Sequence, residues 1–171
     1  MKKILGLVVS LTLISGICAA VLAYVNSITK DPIAEMKVKQ EQAAVKAVLP
    51  AGAASVEEAD GFFVGKDAEG KILGYAAKGK DAGGYGGDIE LMVGFEADKK
   101  TLVCYKTLAA AETPGLGMKL KTPEFADQFK GRDGSVLKVK KDGGEIEAIT
   151  SATITSRAVC KAIADAQAKL K

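Results

Sequence analysis

The sequence predicts an α+β fold: a single N-terminal transmembrane helix, then a domain with a mainly antiparallel sheet and flanking helices. Three observations predict it. Residues 4–25 (ILGLVVSLTLISGICAAVLAYV) run for 22 positions without a charge. The run DIELMVGF at 88–95 alternates, with Ile89, Leu91, Val93 and Phe95 on one face, and a partner run TLVCYKTL follows a turn at Asp98, Lys99 and Lys100. The remaining strand and helix signals are mixed without regular βαβ alternation.

Taken in order, the first element is the anchor. At about 1.5 Å per residue, 22 helical residues span about 33 Å, enough for a bilayer core of about 30 Å. Lys2 and Lys3 precede it, which predicts a cytoplasmic N-terminus and an extracytoplasmic remainder. Tyr24 stands where an interfacial aromatic is expected. The apolar run is longer than the core of a cleaved signal peptide, although Val21-Leu22-Ala23 resembles a weak cleavage site. Ile17 occupies the place where a lipoprotein signal ending at Cys18 needs a small residue.

Asp31-Pro32 reads as an N-cap followed by proline at the first helical position, starting a linking helix that Pro50 ends. Three segments follow from this: 1–25 as N-terminus and anchor, 26–50 as linking helix, 51–171 as the folded domain. Within the domain, residues 62–64 and 71–77 read as a hairpin around Lys66-Asp67-Ala68-Glu69-Gly70. After the two long strands, Thr122-Pro123 caps a short helix that stops near Gly131. Strands are expected at 136–139 and 145–149, with a turn at Asp142-Gly143-Gly144 between them. The final helix carries Ala158, Val159, Ala162, Ile163, Ala166 and Leu170 as a buried stripe.

Composition narrows the chemistry. There is no histidine and no tryptophan among 171 residues, which removes Ser-His and Cys-His nucleophile pairs and histidine-ligated metals. Cys18, Cys104 and Cys160 are too few and too scattered for a four-cysteine zinc site or an iron–sulfur cluster, and no metal is expected. Cys104 and Cys160 are expected as packed free thiols. Twenty-four basic against 21 acidic residues give no polyelectrolyte signal for nucleic acid. Redox or group-transfer chemistry would therefore need an added cofactor.

The strongest chemical feature is Thr150-Ser151-Ala152-Thr153-Ile154-Thr155-Ser156, five hydroxyls in seven residues ahead of the last helix. One or two suit N-capping, and a helix N-terminus with free amides and hydroxyls also suits a phosphate. Arg157 stands nearby, either to balance such a phosphate or on a solvated helix face.

The segment IEAITSATITSRAV resembles the attachment segment of the FMN-binding domain family, found in the G subunit of Rnf complexes and the C subunit of sodium-pumping NADH:quinone reductases. The family pattern is an acidic residue, then Ser/Thr-Gly-Ala-Thr-x-Ser/Thr. Glu147 takes the acidic place, Thr150 the Ser/Thr place, Ala152 the alanine, Thr153 the attachment threonine and Thr155 the last hydroxyl. Ser151 stands where glycine is usual, and Glu147 where aspartate is usual. The loop Glu112-Thr113-Pro114-Gly115-Leu116-Gly117 and the segment Gly84-Tyr85-Gly86-Gly87-Asp88 resemble two further stretches of the same family, in its order.

The resemblance implies an extracytoplasmic FMN-binding domain. FMN would be esterified through its phosphate to Thr153 by a separate flavin transferase. Thr150, Ser151, Ala152 and Thr155 would lie beside it; Glu112, Thr113, Gly115, Leu116, Gly117 and Tyr85 would form the flavin pocket. It implies an electron-carrier component of a membrane-bound, ion-translocating ferredoxin:NAD oxidoreductase, with other membrane and peripheral subunits and membrane lipid as partners. The alternatives are the equivalent component of a sodium-translocating NADH:quinone reductase, or a membrane-anchored assembly module without flavin.

Overall fold

A computed structural model describes residues 2–171 and divides the chain into two units, one ending at Gln40 and one running from Glu41 to Lys171. One helix, α1 (Lys2–Val48), passes through both. In the first unit it exposes its apolar residues, Ile4, Leu7, Leu11, Ile14, Leu22 and Val25 among them. Its most apolar 18-residue window has a mean hydropathy of 2.5 and no share buried inside the protein, so it is long and apolar enough to cross a membrane. The helix start expected at Asp31 does not occur, because Pro32 lies inside α1. The preceding residues are already helical, so the proline removes one backbone hydrogen bond at an exposed position instead of opening a new helix.

The second unit is built on a five-stranded sheet in the order β1-β2-β3-β4-β5, antiparallel throughout. The strands are β1 (Ser55–Ala59), β2 (Phe62–Lys66), β3 (Ile72–Asp81), β4 (Ile89–Glu96) and β5 (Leu102–Ala110). The β2–β3 turn is closed by the Asp67 carboxylate, which accepts from the Glu69 and Lys71 amides at 2.9 Å each. Asp98 does the same at the β4–β5 turn for the Lys100 and Thr101 amides, at 2.8 and 2.9 Å. Strand β1 carries SVEEA, a largely exposed edge without apolar alternation, and so gives no strand signal in the sequence.

Both faces of the sheet are covered. On one, α3 (Thr153–Ala168) packs Ala158, Val159, Ala162, Ile163 and Ala166 against Ala77, Leu91, Val93 and Phe95. Full burial of Ile163 alone is worth about 1.5–3 kcal/mol. On the other, the last turns of α1 set Ala44, Val45, Val48 and Leu49 on Ala76 and Met92. This explains why β4 is buried at nearly every position instead of only at its alternating apolar set. Two glycines permit the approach: a Cβ on Gly79 would overlap the Ala162 carbonyl of α3, and one on Gly94 would overlap the Val48 carbonyl of α1.

The expected short helix is α2 (Pro123–Ala126), extended by a 3-10 turn at Asp127–Phe129. Its Phe125 and Phe129 stack edge-on with centroids 5.3 Å apart, and Tyr105 meets Phe129 at 5.5 Å. The strands expected at 136–139 and 145–149 do not form among the described residues. Asp133 caps a 3-10 turn at Gly134–Val136 instead, accepting from the Ser135 amide at 2.8 Å. A parallel bridge joins Val139 to Ile146. These two apolar side chains act as separate buried anchors of an irregular segment, not as one face of a strand.

Candidate functional site

The two glycine-bearing loops, 84–88 and 112–117, meet the start of α3. A cavity of about 480 Å³ there is lined by Tyr85, Glu112, Thr113, Leu116, Gly117, Ser151, Ala152, Thr153, Ile154 and Thr155. That volume lies within the range of about 300–1,000 Å³ usual for small-molecule sites. Tyr85, Leu116 and Ile154 offer exposed apolar surface at its rim, 72%, 42% and 49% accessible.

Glu112 holds the cavity together from within. It is 7% exposed, and its carboxylate accepts from the Thr155 hydroxyl at 2.9 Å and from the Tyr85 amide at 2.8 Å, with the Gly86 amide at 3.4 Å. One side chain thus ties the 84–88 segment, its own 112–117 loop and the first turn of α3 to one another. The loop itself closes through the Leu116 and Met118 amides, both donating to the Thr113 carbonyl at 3.2 Å. Gly115 sits at φ +75° in that turn, and a Cβ on Gly117 would collide with Glu112.

The five hydroxyls of the 150–156 segment divide by orientation. Thr155 and Ser156 are buried and turned inward. Thr155 donates to Glu112; the Ser156 hydroxyl donates to the Ala152 carbonyl and accepts from the Ile149 amide, both at 2.9 Å. Thr153 lines the cavity, half-buried, and its Oγ accepts from the Lys141 ammonium at 3.3 Å. None of the hydroxyls caps α3: the N-cap is Ala152, which makes no side-chain capping bond. The first-turn amides therefore have no side-chain cap beside the cavity. Ser151 adopts φ +61°, a left-handed conformation that accounts for the glycine usual at this place in the family pattern.

Two expected residues lie apart. Thr150 faces a neighbouring cleft shared with Glu147 and Gln128, and Gly115 does not line the cavity. Glu147 is exposed and paired with Lys140 at 3.1 Å. Arg157 does not face the cavity as a free cation. Its guanidinium makes a two-pronged pair with Asp142, both bonds 2.6 Å, which holds the Asp142 carboxyl below its usual range. Two residues of the site, Ile154 and Lys141, escape a reading of the sequence. Ile154 carries a weak signal, an apolar residue at the variable position of the attachment pattern, whereas Lys141 is near Thr153 only in space.

All three cysteines are free. Cys160 is 4% exposed on the core side of α3, and burial pushes its thiol up to about 12. Burial likewise raises Cys104, whose Sγ reaches the Ala47 carbonyl at 3.6 Å.

Residues 84–168, which contain this whole cavity, match the FMN-binding domain family. The chain is 32% identical over 173 residues to the G subunit of the ion-translocating oxidoreductase complex of Methanosarcina acetivorans, covering 95% of this chain and 92% of that one. It is 37% identical over 166 residues to the G subunit of the proton-translocating ferredoxin:NAD(+) oxidoreductase complex of Clostridium ljungdahlii, covering 90% and 82%. Among solved structures, the C subunit of the Na(+)-translocating NADH-quinone reductase of Parabacteroides distasonis superposes with a TM-score of 0.51 at 26% identity. That match spans 63% of this chain and 59% of the other, less than two thirds of its length.

Proposed function

The chain belongs to the family of G subunits of ion-translocating oxidoreductase complexes, and from that premise we propose that it is the flavin-bearing electron relay of a ferredoxin:NAD oxidoreductase of this type. It holds FMN through a phosphoester to Thr153. The observation that carries the reading is the cavity at the start of α3, where the Thr153 hydroxyl, uncapped first-turn amides and a rim of Tyr85, Leu116 and Ile154 occur together. Amides at a helix start and a hydroxyl suit a phosphate, and the apolar rim suits a flat ring. These residues fit the group.

FMN, when bound, supplies the electron-transfer chemistry, for which the side chains of this chain offer no substitute. The chain's own contribution is placement. Thr153 fixes the phosphate end, and Glu112 keeps the two loops and the helix in register from behind. Tyr85, Leu116 and Ile154 shield the ring from water on the sides they reach. The chain is a single-pass membrane protein in this reading, with Lys2 and Lys3 keeping its N-terminus cytoplasmic and the 41–171 unit outside. A tethered cofactor is not lost by dissociation on that side. The equivalent role in a NADH:quinone reductase is supported by the structural match, but the G-subunit relative from Methanosarcina acetivorans aligns over far more of its length, 92% against 59%.

Coexpression with a flavin transferase tests the attachment. Ultraviolet fluorescence should follow the wild-type band through denaturing electrophoresis and disappear in Thr153→Val. A dark wild-type band, with the transferase shown to be active on a control substrate, sinks the covalent reading.

A further inference from the structure

We propose that Lys141 is the cation that receives the flavin phosphate at Thr153. The inference rests on the reading of Thr153 as the attachment residue and adds a binding group from a different part of the chain.

Three observations lead to it. First, the Lys141 ammonium stands 3.3 Å from the Thr153 Oγ, the atom that would carry the phosphorus. Second, the neighbouring cations are already neutralised: Lys140 pairs with Glu147 at 3.1 Å and Arg157 with Asp142 at 2.6 Å. Among the described residues Lys141 has no carboxylate partner, so an uncompensated positive charge is held against the hydroxyl. Third, its position is set by the fold. Lys141 lies in a 3-10 turn (Lys140–Asp142) that ends at Gly143 in a left-handed conformation, φ +79°. The adjacent Asp142 is clamped in two places by Arg157, which stands one helical turn after Thr153 on the same face of α3. The Asp142–Arg157 clamp thus brings the preceding residue, Lys141, to Thr153.

An ester to threonine leaves one negative charge on the phosphate, and an ammonium at this place offsets it. Lys141 is exposed, so the effect is modest and screened by salt. A factor of about five in affinity is the scale for an exposed pair.

The test uses the full-length, unmodified chain in detergent, titrated with FMN and with riboflavin, which lacks the phosphate. The wild-type chain should bind FMN about fivefold more tightly than riboflavin at low salt, with the preference shrinking as salt rises. Lys141→Gln should weaken FMN binding and reduce the preference, the remainder coming from the first-turn amides, while leaving riboflavin affinity unchanged, which shows the fold intact. Lys141→Arg should restore the preference. Equal FMN affinity in wild type and Lys141→Gln, or no FMN preference in the wild type, overturns the proposal. Failure of transferase labelling counts against esterification alone, since the FMN preference still decides the role of Lys141.

Discussion

Glu112 offers the sharpest test of how the cavity is assembled. Its carboxylate accepts two short hydrogen bonds, from the buried Thr155 hydroxyl at 2.9 Å and the Tyr85 amide at 2.8 Å, with a longer contact to the Gly86 amide. Glu112→Ala removes the acceptor and strands both donors. With about 1–3 kcal/mol for the buried Thr155 hydroxyl left unsatisfied and up to about 1 kcal/mol for the part-buried Tyr85 amide, the expected loss is about 1–4 kcal/mol. Glu112→Gln keeps one carbonyl oxygen for the amides but presents an NH₂ to Thr155, and should cost about 1–2 kcal/mol. Thr155→Val should cost a similar amount. The Glu112→Gln/Thr155→Val pair should fall short of additivity by about 1 kcal/mol, because the two side chains share one bond. Cys160 supplies the assay: its thiol is buried and poorly ionised in the folded chain, so its alkylation under urea reports unfolding in a background lacking Cys18 and Cys104. Amide exchange at Tyr85 and Gly86 gives an independent local readout. A Glu112→Ala chain within about 0.5 kcal/mol of wild type, or strict additivity in the cycle, would refute the keystone role.

Three further outcomes are expected. Ser151→Gly should raise stability by about 0.5–1 kcal/mol in urea unfolding, because glycine takes φ +61° without the side-chain penalty, and it should label at Thr153 at least as well. Gly79→Ala should destabilise by about 1–3 kcal/mol or more and speed alkylation of Cys160, since the new methyl group forces α3 away from β3 at the Ala162 carbonyl. Asp98 is held below its usual pKa first by the Thr101 hydroxyl, at 2.6 Å, and then by the Lys100 and Thr101 amides. Its stabilisation is therefore complete above the unfolded value of about 3.9 and is lost as pH falls through the lower folded value. Asp98→Asn should be less stable than wild type at neutral pH, with the gap closing in acid; a gap independent of pH contradicts this.

The long strands and α3 are legible in the sequence because their burial follows one period over many residues. Ile89, Leu91, Val93 and Phe95, and the Ala158-to-Ala166 stripe, are each one face of a regular element. The second covered face of β4 is not legible, because Met92 and Gly94 meet α1 from far upstream, and no local pattern encodes that contact. The irregular 130–150 segment misleads for a related reason. Val139 and Ile146 look like strand residues, yet each is buried singly in a region where glycines and an Asp133 cap set the backbone. At the cavity, nine of the eleven expected residues line one space, since the motifs keep loop and helix start together. The Glu112–Thr155 bond and the Lys141–Thr153 contact join residues 43 and 12 positions apart, and only the folded chain reveals them.

Under the proposed attachment, the inward turn of Thr155 and Ser156 would also bear on regiochemistry. Any phosphoryl donor approaching the start of α3 meets a segment crowded with hydroxyls, so a reaction there risks a mixture of products. Two of the five oxygens are withdrawn from that competition, buried and engaged with acceptors inside the protein. A third, Thr150, opens onto a different cleft. The hydroxyls left open at the cavity are those of Thr153 and Ser151. An enzyme that attached a phosphate there would have two hydroxyls to distinguish and not five.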